Sequence, residues 1–154
     1  MTVEVLDVLD AYSESVFDKD VDKFLSLYDE EVRVFDAWGR WSYEGAQAWR
    51  ANIGEWFSSL GTERVRVDFD EVEVATDVDL ATVSAFVTFA GLSPDGEELR
   101  SMQNRITWVL VSGEEGWRII HEHTSAPAAF EDGKVMLRST AEHSQLDPQK
   151  HQAT

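Results

Sequence analysis

Two stretches of this 154-residue chain carry side chains whose type and spacing could do chemistry. One is "WRIIHEHTSAP" at 117–127, where His121 and His123 stand two apart on an otherwise apolar, strand-like run. Residues at that spacing leave a strand on the same face, so both imidazoles could meet one metal ion, one ligand or one core. The other is Asp36, at the end of "VRVFD", where the alternating Val32 and Val34 give out before a glycine stop. A carboxylate at a cavity mouth loses hydration, its pKa climbs, and it becomes a usable general base. An aspartate before "AWG" would equally well cap a turn, so that alternative stays open.

The histidine pair lacks the ligands a metal needs. Alternation puts Trp117, Ile119, His121 and His123 on one face, and Arg118, Ile120, Glu122 and Thr124 on the other. Glu122 therefore points away, the chain has no cysteine, and Asp36 is the one carboxylate within reach. A stable site wants a third and usually a fourth ligand, so no metal is expected and no cofactor motif is seen. A two-residue turn at Glu114–Glu115 would pair Leu110 with Ile119, Trp108 with His121 and Ile106 with His123, sending both imidazoles to the apolar face. A register one residue over would set them beside Arg105 and Thr107. The first register gathers Trp117 and Ile119 with Leu110 and Trp108, and is the expected one. On it His121 lines a pocket, and His123, nearer the strand's far end, serves as a second acid/base group.

The elements that must hold these groups follow from periodicity. Val5, Leu9, Tyr12 and Val16 share one face of a first helix, which puts Tyr12 on its buried stripe. Asp20 caps a short second helix with Val21, Phe24, Leu25 and Tyr28 along one side. A strand "EVRVFDAWG" follows, then a third helix carrying Trp49, Ile53, Trp56, Phe57 and Leu60, ended by Gly61. From Arg64 the period is two. Val65, Val67 and Phe69 share a face, but Val72 and Val74 continue in the opposite phase, which predicts a bulge near Asp70 and Glu71. "LATVSAFVTFAGL" reads as a central strand, and Glu98–Val111 as a long one whose Met102, Asn104, Ile106 and Trp108 face the core. Asn104 is then a polar contact in a pocket or a self-satisfied core amide. Arg105, on the other face, would pair with Glu122 or bind an anionic ligand.

Three helices followed by a bent antiparallel sheet make an α+β fold, with the sheet curled into a cone around an apolar pocket. Residues 1–127 form the domain, and 128–154 read as a weakly patterned extension and polar tail that holds His143 and His151. Formal charge is −17, from 30 acidic against 13 basic side chains, a field that repels nucleic acid and anionic membrane surfaces. No apolar run approaches a membrane span of roughly 20 residues. The acidic start "MTVEVLDVLDAY" is unlike a secretory signal, and the lack of cysteine fits a cytoplasmic protein.

The element order resembles the nuclear transport factor 2-like superfamily, also described as SnoaL-like or ketosteroid-isomerase-like. "DKDVDKFLSLYDEEVRVFDAWG" followed by "YEGAQAWRANIGEWF" is similar to its helix–strand–helix opening. "GWRIIHEHTSAP" looks like the closing strand of the branch that includes the calcium/calmodulin-dependent kinase association domain. The resemblance implies Asp36 as the proton-abstracting base. It implies Tyr12, 24 residues earlier, as the donor to the developing enolate oxygen, although Tyr12 also reads as an ordinary core aromatic. The isomerases' second oxyanion donor, an acid on a late strand, has no match in "NRITWVL". The expected function is cofactor-independent isomerisation, dehydration or cyclisation of a small molecule, with Trp49, Trp56, Phe86 and Trp108 as apolar walls and Asn104 as a polar contact. The alternative is a non-catalytic ligand-binding or oligomerisation module like the kinase association domain. Either way, the sheet's outer face predicts self-association as a homodimer.

Overall fold

A computed structural model describes residues 2–138, so His143 and His151 lie outside the described residues. The order is α1 (Thr2–Asp18), α2 (Val21–Leu25), β1 (Tyr28–Phe35), β2 (Tyr43–Glu44), α3 (Ala46–Ser59), β3 (Arg64–Thr76), β4 (Leu80–Leu92), β5 (Glu98–Gly113) and β6 (Gly116–Ser125). The six strands form one curved, unclosed sheet in the order β2-β1-β6-β5-β4-β3. Its pairs are antiparallel except β1 with β6, which run parallel.

The helices fill the concave side. Val5, Leu9, Tyr12 and Val16 of α1, Phe24 and Leu25 of α2, and Trp49, Ile53 and Phe57 of α3 are buried against Val83, Val87, Ile106, Trp108, Leu110 and Ile119 of the sheet. Asp20 caps α2 as the sequence implies, its side chain accepting from the Lys23 amide at 3.0 Å. That helix stops at Leu25, so Tyr28 is no part of its apolar side. It opens β1 instead, because the Ile119 amide donates to the Leu27 carbonyl at 2.8 Å and draws the chain into the sheet.

The expected phase slip in β3 is present: its register with β4 shifts between Asp70 and Glu73, and Glu71 takes the left-handed φ of 52°. A second bulge was not foreseen, and it decides the site. From the turn, Leu110 pairs with Ile119, as expected. Val109, however, pairs with His121, which leaves Ile120 as the extra residue. Beyond it Trp108 faces Glu122, Thr107 faces His123 and Ile106 faces Thr124. The slip keeps Trp117 and Ile119 inward on one side of the bulge and carries Glu122 and Thr124 inward on the other. The expected register is corrected accordingly: both imidazoles leave on the outer face.

Candidate functional site

Between α1, α3 and the concave face of the sheet lies a cavity of about 290 Å³. Trp38, Trp49, Trp56, Phe89 and Met102 give it apolar walls, and Tyr12, Asp36, Asn52, Asn104, Glu122 and Thr124 supply its polar groups. No lysine, arginine or histidine lines it among the described residues. A negative charge formed inside would therefore rely on hydroxyls, amides and protonated acids for stabilisation.

Asp36 follows β1 directly, on the phase of Val32 and Val34, and its side chain is half-buried at the mouth. The Thr124 hydroxyl donates to its Oδ1 at 2.9 Å and accepts from the Ala37 amide at 2.8 Å, fastening the strand exit to β6. Burial pushes the Asp36 pKa up, and hydrogen bonds from Thr124 and from the Trp38 and Ala37 amides pull it partly back. The carboxylate thus stays a base, but a stronger one than a solvated aspartate.

Glu122 sits deeper, with 1 % of its surface exposed. Its Oε1 accepts from the Tyr28 hydroxyl at 2.5 Å and the Trp108 indole at 2.9 Å. Burial raises its pKa to about 7; the two donors work against that rise, and the negative charge of Asp36 adds to it. Two carboxyls in one cavity resist ionising together, so near neutral pH Glu122 is partly protonated.

Tyr12 packs its ring against Phe24, Phe69 and Trp108 at centroid distances of 5.0, 5.6 and 5.6 Å. Its hydroxyl lines the cavity and makes no hydrogen bond among the described residues. Burial first, then the charges of Glu122 and Asp36, hold its pKa well above the ordinary phenol value, so it keeps its proton and can donate it in a hydrogen bond. Two further polar atoms are unsatisfied: the Asn104 Oδ1 and the Trp49 Nε1, both buried without a hydrogen-bond partner. The indole N–H lies near enough to the Tyr28 oxygen to temper the upward push on that phenol, but outside hydrogen-bond geometry. Orphaned buried groups of this kind cost stability unless a ligand or water meets them.

Of the residues singled out from the sequence, Asp36, Tyr12, Trp49, Trp56 and Asn104 come together around this cavity. Trp108 lies behind the wall and acts through its bond to Glu122. Phe86 is on the outer face opposite Arg105 and lines a different, smaller cavity. His121 donates from Nδ1 to the Arg33 carbonyl at 2.7 Å, and its ring stacks edge-on with Phe35 at 5.0 Å. His123 is exposed beside Phe35 at 5.4 Å and borders a shallow outer groove with Arg40 and Trp41. Strict alternation puts Glu122 and Thr124 on the outer face, and the bulge at Ile120 turns them inward; two adjacent apolar residues, Ile119 and Ile120, hide it in the sequence. Arg105 does not pair with Glu122, because the two sit on opposite faces of the sheet. Among the described residues no group of three or more His, Asp or Glu is arranged to hold a metal ion. None of the described helices is long and apolar enough to cross a membrane.

The sequence pattern that defines the SnoaL-like domain matches residues 5–129. No curated protein matches the chain significantly. Among solved structures, an NTF2-like protein of unknown function from Pseudomonas putida KT2440 is similar, with TM-score 0.78 and 22% identity over 89% of this chain and 94% of that one. A putative calcium/calmodulin-dependent protein kinase II association domain from Xanthomonas campestris gives TM-score 0.68 and 18% identity, over 80% and 86%. A putative aromatic ring hydroxylase from Novosphingobium aromaticivorans gives 0.62 and 21%, again over 80% and 86%. At these identities the likeness is one of fold, and the fold hosts many activities.

Proposed function

The chain belongs to the SnoaL-like domain family, and from that premise we propose that it is a cofactor-independent acid/base enzyme, an isomerase, dehydratase or cyclase of a small carbonyl compound. One observation carries the reading: a single aromatic cavity brings together Asp36, the buried acid Glu122 with its raised pKa and the Tyr12 hydroxyl, with no cationic side chain among the described residues. The reacting portion of the substrate is accordingly uncharged and flat enough to lie against Trp49, Trp56 and Phe89.

The steps follow from the proton positions. Asp36 takes a proton from a carbon next to the carbonyl, the C–H electron pair passing into an enolate. Tyr12 donates a hydrogen bond to the enolate oxygen, a contact worth about 2.7–4 kcal/mol when well aimed. The cavity offers two ways out. Asp36 returns its proton to a different carbon, which is isomerisation, or Glu122 gives its proton to a departing hydroxyl, which is dehydration. Thr124 and the 37–38 amides keep Asp36 on the reacting side throughout. His123, outside the cavity, has no part in this scheme.

The test needs no knowledge of the natural substrate. Protein in D2O is mixed with a panel of neutral cyclic ketones, and exchange at the α-carbon is followed by proton NMR. The wild type should speed exchange of at least one ketone, and Asp36→Asn should lose about a hundredfold or more of that rate. Ketones that bind equally well to both proteins with no exchange above background would make the chain a binding module instead.

A further inference from the structure

Strand β6 ends at Ser125, opposite Arg105, while β5 extends back to Glu98. The edge of β5 over residues 98–104 therefore has no β6 partner, and the chain beyond Pro127 returns to cover it. The Ala129 amide donates to the Lys134 carbonyl at 2.7 Å and the Met136 amide to the Pro127 carbonyl at 2.8 Å, making a small hairpin. The Gln103 amide then donates to the Leu137 carbonyl at 2.7 Å, and Arg138 lands with a terminal nitrogen 3.2 Å from the Ser101 carbonyl. Between this return and the sheet lies a second cavity, of about 150 Å³, bordered by Phe86, Asn104, Arg105, Ser125, Met136 and Arg138.

We propose that Arg105 and Arg138 form an oxyanion-binding site at this edge of the sheet, holding the carboxylate, phosphate or sulfate group of a small molecule. The chain carries 30 acidic side chains against 13 basic ones, and ion pairs occupy Lys23, Arg33, Arg50, Arg66, Arg100 and Arg118. Arg105 and Arg138, like Lys19, Arg40, Arg64 and Lys134, have no carboxylate partner among the described residues, and these two share one cavity. Arg105 uses only its Nε, on the Ser125 hydroxyl at 3.1 Å, which fixes the guanidinium and leaves its terminal nitrogens free. Both guanidiniums border one small cavity, and each planar fork matches the spacing of two oxyanion oxygens.

The space suits that occupant. The cavity holds roughly five water volumes at ~30 Å³ each, enough for one oxyanion group and a short apolar attachment beside Phe86 and Met136. Asn104 borders this cavity and the main one, so the two lie on either side of one residue of β5. The site stands whichever reaction, or none, the main cavity performs.

The probes are inorganic phosphate, benzoate and uncharged benzamide, each titrated into the full chain while the arginine Nε–H signals are followed by NMR. Phosphate or benzoate should shift Arg105 and Arg138 saturably, and Arg105→Gln or Arg138→Gln should weaken binding at least tenfold with unchanged thermal unfolding. Response to phosphate alone assigns a free inorganic ion; response to benzoate that also moves the Trp56 indole signal assigns an organic acid reaching the main cavity. Benzamide acting as well as benzoate, or anion shifts spread evenly over Arg33, Arg66 and Arg118, would overturn the proposal.

Discussion

Replacing Glu122 with glutamine isolates the cost of its buried carboxyl. The amide oxygen of Glu122→Gln still accepts from Tyr28 and Trp108, so packing and both hydrogen bonds are kept while the titration is removed. The folded-state pKa of about 7 lies above the ordinary glutamate value of 4.5, so the folded chain binds the proton more tightly than the unfolded one. Stability from this group is therefore complete below pH 4.5, falls by about 1.4 kcal/mol per pH unit as pH rises toward 7, and levels off above it. The gap between the two values, at 1.36 kcal/mol per unit, amounts to roughly 3 kcal/mol. Urea unfolding of both proteins at pH 4.5, 6 and 8 reads it directly. The two should match at pH 4.5, and the variant should lead by roughly 3 kcal/mol at pH 8, a midpoint gain of about 1.5 M at an m-value of about 2 kcal/mol/M. Parallel curves for the two proteins across that range would refute a proton-loaded Glu122.

Three further substitutions separate the roles around it. Tyr12→Phe should leave stability within about 0.5 kcal/mol, since the lost hydroxyl bonds nothing, whereas Tyr28→Phe should cost about 1–3 kcal/mol by removing a donor from Glu122; chemical denaturation distinguishes them. Thr124→Val removes a donor from Asp36 and an acceptor from the Ala37 amide, so the Asp36 pKa should rise further and Trp38 should lose order, read by carboxyl NMR and Trp38 indole relaxation. His123→Gln should change neither ketone exchange nor its pH profile, because the imidazole is exposed outside the cavity.

How far the sequence could carry this reading depends on where its periodicity held. Apolar spacing placed Tyr12 on the buried stripe of α1 and Trp49 and Trp56 on α3, because helix faces tolerate no one-residue slip without exposing the whole stripe. In β3 the slip was visible, since Val72 and Val74 took the opposite phase from Val65 and Val67 on either side of an acidic pair. In β6 it was masked. Ile119 and Ile120 are both apolar, so the extra residue left no polar mark, and the histidines inherited the wrong face. Alternation then puts Glu122 on the face of Arg105, although the indole that holds it, Trp108, and the phenol that shares it, Tyr28, lie 14 and 94 residues away. Only folding assembles such a trio. Tyr28 was misplaced for a related reason: its helical phase with Phe24 and Leu25 fits on paper, but parallel pairing with β6 is a long-range contact that local spacing does not report.

The central claim is that burial in one cavity raises both carboxyls, bringing Glu122 into the neutral range beside Asp36. Carbon-13 NMR of the side-chain carboxyls, titrated from pH 3 to 9 and assigned through Asp36→Asn and Glu122→Gln, measures this without any substrate. Glu122 should titrate near pH 7 and Asp36 above the ordinary aspartate range, with the Glu122 midpoint falling when Asp36 is neutralised. Both carboxyls titrating independently near pH 4 would contradict the account.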